Sequence, residues 1–172
     1  MVKEVSCIIN NEVMANNHRT FWSVVRGIWI RFWSVIAPFT FPAQVTTFIH
    51  RLRGVHVGRG SKIARTVIID DSRPEFITIG QNVWVTAGCQ LLCHQRDLSQ
   101  YEVGKAVMDL ELKYAPIVIE DGAHIGIGSI IMPGVTIGAG AVIGAGSVVT
   151  RSIPPHCVAV GVPCKVVKTF EK

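Results

Sequence analysis

One histidine, His94, lies where a regular repeat in the sequence stops and a long irregular stretch begins. A neutral imidazole can take a proton from a hydroxyl group near neutral pH, so a histidine held at the edge of a rigid scaffold suits a general base. The same histidine could also do no more than cap a corner of the scaffold. The residue types alone leave both interpretations open.

Two cysteines close to His94 raise the question of a metal site. Cys89, Cys93 and His94 offer the thiolate and imidazole ligands that zinc prefers, but the sequence shows no fourth partner. A three-histidine zinc enzyme would need a second histidine close to His94 or to His124, and neither has one. Cys89 is also typical of a small apolar side chain packed in a wall. We therefore expect no metal and keep a zinc-dependent enzyme as the less favoured alternative.

The scaffold that would position these groups follows a period of six residues. Every sixth position from residue 119 to residue 149 is a branched aliphatic, with small residues between: Ile119, Ile125, Ile131, Ile137, Ile143 and Val149. A helix repeats every 3.6 residues and a simple strand alternates, so neither fits alone. The period favours short strands joined by tight corners, with each aliphatic side chain stacked on its counterpart. We predict an all-β fold, a parallel β-helix of hexapeptide repeats with three hexads in each triangular coil.

The repeat begins near Val55 and is interrupted twice. A polar stretch at 70–75 breaks the phase, which resumes at Ile79, and a longer excursion at about 94–116 separates Leu91 from Ile117. Functional loops often leave a scaffold in this way. The repeat stops at Ile153, and residues 158–167 should fold back as a closing element. Counting hexads gives roughly four coils within a domain at 55–172.

The N-terminal part has a different composition. Residues 21–41 contain two arginines and a run of aromatic residues: Phe21, Trp22, Trp29, Phe32, Trp33, Phe39 and Phe41. The stretch is short and charged for a membrane span, and Pro38 and Pro42 would end a helix. Two interpretations stay open: a helix that covers the first coil, which a solenoid needs for solubility, and a helix that also lies in a membrane interface. We treat residues 1–54 as one helical cap segment.

The composition excludes several classes of protein. Hydrophobic residues make up 49% and charged residues 17%, which rules out disorder for most of the chain. The formal charge of +5 suits phosphate-bearing ligands or an anionic membrane surface, and no motif for nucleic acid is present. Five cysteines without a disulfide framework indicate a reducing compartment, and the stretch Met1–Met14 lacks the features of a cleavable signal peptide. We therefore expect a cytoplasmic protein.

The motifs of the last coils resemble the hexapeptide acyltransferases. They are MPGVTIG at 132–138, AVIGAGSVVT at 141–150, IPP at 153–155 and GVPCK at 161–165. Within that family the chain is most similar to maltose and galactoside O-acetyltransferases and to related surface-polysaccharide acetyltransferases. The similarity covers about Val55 to Lys168.

This resemblance implies a left-handed β-helix, an exception to right-handed crossovers. It also implies a homotrimer with active sites at its subunit interfaces and acetyl-CoA bound in a groove between neighbouring coils. In that family the histidine at the mouth of the loop is the general base, and His94 occupies its place. The cofactor positions correspond to small or basic residues: Gly126, Ile127, Ala145, Thr150, Arg151, Lys165 and Lys168. The small ones would let the pantetheine arm approach backbone amides, and the basic ones would face phosphates, with a solvated surface as the alternative for the lysines.

The chain departs from the family pattern at two places. His124 fills a slot that often holds tryptophan, and the N-terminal acidic residue that holds the acceptor has no counterpart, because no aspartate precedes Asp70. Asp70 and Asp71 match an acidic pair on the acceptor side of the family. We expect them to bind sugar hydroxyls, and a role in stabilising a turn is the alternative.

These observations together predict an acetyl-CoA-dependent O-acetyltransferase of surface polysaccharide biosynthesis. His94 would take the proton of a sugar hydroxyl while the oxygen attacks the thioester directly, and a backbone amide would stabilise the oxyanion. The alternatives are an acyltransferase for an amino group or an antibiotic hydroxyl and a scaffolding solenoid, which would leave His94 without a use. The aromatic and basic stretch at 21–41 would add a peripheral contact with the inner face of the membrane.

Overall fold

Residues 21–36 and 42–171 are described by a computed structural model of the chain. Within them, two helices precede a body of short strands: α1 (Phe21–Ile36) and α2 (Ala43–Leu52). Residues 1–20 and 37–41 of the predicted cap segment lie outside the described residues. The stretch Met1–Met14, which was assessed for a signal peptide, is among them.

The strands wind into three parallel sheets, which form the sides of a triangular coil. Sheet A contains β1 (His56–Val57), β4 (Ile77–Ile79), β9 (Ile117–Ile119) and β12 (Thr136–Ile137). Sheet B contains β2 (Lys62–Ile63), β5 (Trp84–Val85), β10 (His124–Ile125), β13 (Val142–Ile143), β15 (Cys157–Val160) and, antiparallel at its end, β16 (Lys165–Thr169). Sheet C contains β3 (Ile68–Ile69), β6 (Gln90–Leu91), β11 (Ile130–Ile131) and β14 (Val148–Val149). The predicted β-helix is confirmed, and β15 and β16 form the closing element expected at 158–167.

The residues at the sixth positions fill the interior of the coil. Ile119, Ile125, Ile131, Ile137, Ile143 and Val149 are each at most 1% exposed. Alternate residues of a strand point to opposite faces, so each two-residue strand gives one side chain to the core and one to the surface. Burial of an isoleucine contributes roughly 1.5–3 kcal/mol, and the stacked column of such residues is therefore the main source of stability.

Two corners matter for the site, and each stacks into a column along the coil axis. The B–C corner lies between sheets B and C and contains the segments 64–66, 86–88, 126–128 and 144–146. The C–A corner lies between sheets C and A and begins in successive coils with Asp70, Leu92, Met132 and Thr150. Backbone hydrogen bonds fix this second column: the N–H of Asp70 donates to the carbonyl of Leu91, that of Leu92 to Ile131, and that of Met132 to Val149. Sheet C separates the two corners.

Helix α2 covers the open first coil. Ile49 is buried against the core, and the Thr47 hydroxyl oxygen accepts a hydrogen bond of 2.9 Å from the N–H of Ile63. Strand β2 is the edge of sheet B, so this bond pairs a backbone donor that has no neighbouring strand. Helix α1 is 16 residues long, and neither described helix has the length and apolar character that crossing a membrane requires.

Between β6 and β9 the chain leaves the coil as an arm. Strand β7 (His94–Arg96) pairs antiparallel with β8 (Leu112–Tyr114), and two 3₁₀ turns lie between them at Leu98–Gln100 and Val107–Asp109. The N–H of Ala115 donates to the carbonyl of Cys93 at 2.9 Å and closes the base of the arm. His94 is therefore the first strand residue beyond the coil, as expected for the start of the excursion.

Candidate active site

A buried carboxylate lies directly behind the imidazole of His94. The His94 Nδ1 is 2.5 Å from Asp70 Oδ2, although 24 residues separate the two in the chain. Asp70 follows β3 at the C–A corner, and His94 leaves the same corner one coil later. The Asp70 side chain is 2% exposed and the His94 side chain 37%, so the carboxylate is enclosed while part of the ring reaches solvent.

The Asp70 carboxylate is held by donors from both coils. The N–H and hydroxyl of Ser72 donate to Oδ1 at 3.0 and 2.6 Å, and the N–H of Cys93 donates to Oδ2 at 3.0 Å. Burial alone would raise the pKa of Asp70, but these hydrogen bonds outweigh it and lower the pKa to about 2. Asp70 is therefore ionised at any pH near neutrality.

An ionised Asp70 fixes the tautomer of His94. A carboxylate can only accept hydrogen bonds, so Nδ1 of the neutral imidazole must carry the proton. The lone pair is then on Nε2, which is the state a general base requires. After Nε2 takes a proton, the negative charge of Asp70 stabilises the imidazolium. The pair thus has the chemistry of the histidine and aspartate in a Ser–His–Asp triad, without a serine nucleophile.

The base of the arm holds the other side of the ring. Tyr114 pairs with His94 across β7 and β8, and the two ring centroids are 5.8 Å apart. Phe76 and Arg73 pack on Tyr114 in turn, at 6.4 and 5.6 Å from its ring centroid. The imidazole therefore lies between a buried anion and an aromatic cluster, which limits its rotation.

The cap helix reaches the same corner through Arg53. This buried guanidinium donates to the carbonyl of Ile69, the residue before Asp70, at 2.9 Å and contacts His50 Nδ1 at 2.9 Å. Burial lowers the pKa of Arg53, and the charges of Asp71 and Asp70 oppose that shift. Burial and the charge of Arg53 lower the pKa of His50 to about 3, so His50 is neutral and can accept from Arg53. Arg53 of the cap thus fixes the backbone next to Asp70.

The cysteines near His94 have separate environments. The Cys89 thiol donates to the carbonyl of Gly126 on the B–C side, whereas Cys93 lies at the C–A corner. The suspected grouping of Cys89, Cys93 and His94 is therefore wrong for Cys89. Burial raises the pKa of the Cys93 thiol, and the charge of Asp70 raises it further, to about 12. A thiol with such a pKa is a poor nucleophile, which agrees with a reaction that has no covalent enzyme intermediate.

A groove of about 630 Å³ runs along the B–C corner. Three of the predicted cofactor residues line it, namely Gly126, Ile127 and Ala145. Its walls also contain Trp84 and His124, whose rings meet edge to face at 5.4 Å. His124 therefore faces the groove.

The packing of the coils requires a glycine at position 126. A Cβ at this position would lie 2.5 Å from the backbone nitrogen of Ala145, so only glycine lets the two coils stack this closely. The chain therefore needs this glycine for coil packing, whether or not a ligand occupies the groove.

The other four predicted cofactor residues do not line the groove. Thr150 and Arg151 follow β14 at the C–A corner, in the column of Asp70 rather than along the groove. Lys165 pairs with Val160 at the end of sheet B, where it extends the B–C corner, and Lys168 lies 4.9 Å from the ring of Phe170. One chain thus presents the predicted cofactor residues on two different corners.

Comparisons with known proteins bear on these features. Residues 116–151 match the family model described as bacterial transferase hexapeptide, six repeats. The galactoside O-acetyltransferase of Escherichia coli K12 is 39% identical over 115 residues, which are 66% of this chain and 53% of that protein. The chain therefore contains the hexapeptide repeat of this family model and is similar to proteins that carry it. It spans about half the length of the curated relatives it matches, 44% and 53% for the first two.

Two solved structures of the family have the same fold, a left-handed parallel β-helix. A hexapeptide-repeat acetyltransferase of Vibrio cholerae O1 biovar eltor, solved with acetyl-CoA, superposes with a TM-score of 0.71 at 23% identity, over 91% of this chain and 93% of that one. A maltose O-acetyltransferase of Clostridium difficile 630 superposes with a TM-score of 0.69 at 26% identity, over 89% and 90%. The predicted handedness is confirmed.

The partner of His94 in this hexapeptide-repeat protein was not predicted from the sequence. Asp70 had been expected to bind a sugar hydroxyl, but its side chain is enclosed and engaged with His94, so we assign it a positioning role instead. Asp71 is exposed beside it and stays a candidate for acceptor contact. Ser72, Tyr114 and Trp84 had not been singled out either.

Proposed function

We propose that this hexapeptide-repeat protein is an acetyl-CoA-dependent O-acetyltransferase with a sugar hydroxyl as acceptor. The observation that carries the proposal is the contact between Asp70 and His94 Nδ1, because it leaves Nε2 free to act as a base. Acetyl-CoA supplies the acetyl group as co-substrate. The names of the relatives, galactoside and maltose O-acetyltransferase, support the sugar acceptor. The direct test is release of free CoA from acetyl-CoA in the presence of galactosides or maltose, and no release with any hydroxyl acceptor would reject the proposal.

The proposed reaction is a direct transfer. Nε2 of His94 takes the proton of the acceptor hydroxyl as its oxygen attacks the acetyl carbonyl. The carbon–sulfur bond then breaks, and the imidazolium returns the proton to the departing CoA sulfur. Asp70 stays ionised throughout and stabilises the imidazolium. One proton leaves the acceptor and one reaches CoA, so the histidine ends the cycle in its starting state.

The active site is proposed to form between copies of the chain in a homotrimer. The groove with Ala145 lies on the B–C corner, whereas His94, Thr150 and Arg151 lie on the C–A corner across sheet C. A neighbouring copy could bring its C–A corner against the groove of the first, so that acetyl-CoA would contact both sets of residues. The two sets are then parts of one site contributed by two subunits.

This arrangement makes two inactive variants complementary. Ala145→Trp should fill the groove and weaken acetyl-CoA binding, and His94→Ala should remove the base. Co-expressed in equal amounts, the two variants should recover roughly a quarter of the wild-type activity, because one interface in four pairs a normal groove with a normal histidine. Acetyl transfer by the mixed trimers is the measurement.

A matched control separates complementation from contamination. The double variant His94→Ala/Ala145→Trp mixed with His94→Ala contains no functional histidine and should stay inactive. No recovery in the first mixture, from trimers shown to exchange subunits, would contradict a shared site. Unchanged acetyl-CoA affinity in Ala145→Trp would remove that residue from the proposed cofactor site.

We also propose that the N-terminal helices bind the surface of an anionic membrane, where a lipid-linked or polymeric glycan would be the acceptor. Helix α1 exposes a row of apolar side chains, among them Phe32 at 55% and Val35 at 67%, and Phe48 of α2 is exposed too. No acidic residue occurs between residues 13 and 69, while arginines are frequent there. A 16-residue helix is about 24 Å long, so it would lie along the interface rather than across it.

The double variant Ile28→Ser/Phe32→Ser should bind vesicles of phosphatidylserine and phosphatidylcholine at least about tenfold more weakly than the wild type, since each buried apolar side chain contributes roughly 1.5–3 kcal/mol. Flotation at low salt measures the bound fraction. Val103→Ser/Met108→Ser, which changes two exposed apolar residues of the arm, is the matched control and should float like the wild type. Equal flotation of all three proteins, or a change of oligomeric state in the α1 variant, would count against membrane binding.

A further inference from the structure

The corner behind His94 brings together three different metal ligands. A carboxylate oxygen of Asp70, the sulfur of Cys93 and a ring nitrogen of His94 all lie within 4.8 Å of one another. They come from two adjacent coils, and the backbone hydrogen bonds between those coils fix their spacing. Among the residues that the structure describes, no other group of three such side chains is this close.

We propose that this cluster is an inhibitory site for a thiophilic divalent cation, with Zn²⁺ as the best fit. Zinc takes nitrogen, sulfur and oxygen ligands in a tetrahedron, at about 2.0–2.3 Å from each. Asp70, Cys93 and His94 supply one ligand of each kind, and a water molecule would complete the tetrahedron. The His94 Nδ1 and Asp70 Oδ2 would have to separate somewhat from their hydrogen-bonded distance of 2.5 Å, which a change of side-chain torsions can provide.

Metal binding would reverse the tautomer that catalysis requires. In the metal-free protein Nδ1 carries the proton and Nε2 the lone pair. With the metal on Nδ1, a neutral imidazole has to carry its proton on Nε2, where it can donate but cannot accept. The proton of Nδ1 passes to solvent and Nε2 takes one up, so the ring's proton count does not change. His94 would thus lose its function as a base without being displaced from the site.

Binding of the metal should depend on pH, because Cys93 has to bind the cation as a thiolate. Cys93 is neutral in the metal-free protein and must lose its proton to bind the cation, so one net proton is released for each metal bound. Affinity for zinc should therefore rise with pH. The bound cation also compensates the two negative charges of Asp70 and the Cys93 thiolate, which would otherwise repel each other in an enclosed space.

The inhibitory effect rests on the proposed function, whereas the binding does not, and the test measures the two separately. Zinc is titrated into the full chain by calorimetry, and Co²⁺ is added as a spectroscopic probe because a thiolate ligand gives it a sulfur-to-metal charge-transfer band. We expect one metal per chain, the thiolate band, and inhibition of acetyl transfer that a chelator reverses. Cys93→Ser should lose the band and weaken zinc binding by about 10²-fold or more.

Cys89→Ser is the matched control, because Cys89 is an equally buried thiol that lies outside the cluster. It should keep the band, the affinity and the zinc sensitivity of the wild type. Absence of the band in the wild type, or its survival in Cys93→Ser, would overturn the proposal, and Cys93→Ala serves as a second substitution if the serine variant does not fold. An active enzyme that does not bind zinc refutes only this inference. A protein that binds zinc at Cys93 but transfers no acetyl group refutes the proposed function instead.

Discussion

Replacing His94 with alanine is expected to lower the turnover of acetyl transfer by about 10²–10⁴-fold, the usual contribution of a general base. The affinity for acetyl-CoA should stay nearly unchanged, because the proposed role of His94 is to take the proton of the acceptor and not to hold the cofactor. A loss in turnover without a loss in binding indicates an interaction made only in the transition state. Steady-state kinetics and calorimetry with acetyl-CoA measure the two quantities.

His56→Ala is the matched control for this substitution. His56 is an exposed histidine on the outer face of β1, in sheet A, and has no part in the proposed site. Its variant should keep the wild-type turnover. If His94→Ala also kept the wild-type turnover, the general base would be another residue, and the contact between Asp70 and His94 would have only a structural role.

The scaffold could be predicted from the sequence because its determinant is local and periodic. Each of the six aliphatic positions from Ile119 to Val149 was identified from spacing alone, and all of them lie in the core. His94 could be located for the same reason, since it follows the last residue that keeps the period. A solenoid repeats one type of contact many times, so a few sequence positions determine the whole fold.

The partner of His94 was missed because it depends on the register between coils. Ile69 pairs with Leu91 in sheet C, so the residues that follow them, Asp70 and then Cys93 with His94, meet at one corner. Alignment of the two hexads around that pair would have given the contact. The stretch at 70–75 has instead the composition of a polar turn, since aspartate and serine suit turns as well as they suit an active site.

The second helix was missed for a related reason. Pro42 was taken as the end of helical structure, whereas it is the N-cap of α2. Proline is tolerated at the start of a helix, where its missing N–H would be unpaired in any case. The apolar residues Val45, Phe48 and Leu52 recur at helical spacing and would have revealed the helix.

The substitution Asp70→Asn should lower turnover by about 10²–10⁴-fold while leaving the shape of the corner intact. The amide that replaces the carboxylate can donate to Nδ1, which would place the imidazole proton on Nε2 and remove the lone pair that takes the acceptor's proton. The same exchange in a serine-protease triad costs about 10⁴-fold for this reason. Kinetics of acetyl transfer give the loss, and Asp109→Asn, an exposed aspartate in the arm, should behave as wild type.

A stability measurement distinguishes loss of the Asp70 charge from a simple loss of folding in the Asp70→Asn variant. The pKa of Asp70 is lowered from 3.8 to about 2 in the folded chain, which corresponds to about 2 kcal/mol of stability from the ionised carboxylate. Because the folded pKa is the lower one, that contribution is complete above the unfolded pKa and disappears as the pH falls through the folded pKa. The difference in free energy of unfolding between the wild type and Asp70→Asn should therefore shrink as the pH falls from about 4 to about 2. A difference that does not change with pH would mean that the hydrogen bonds from Ser72 and Cys93 do not depend on the charge of Asp70, and the fixed tautomer of His94 would lose its physical basis.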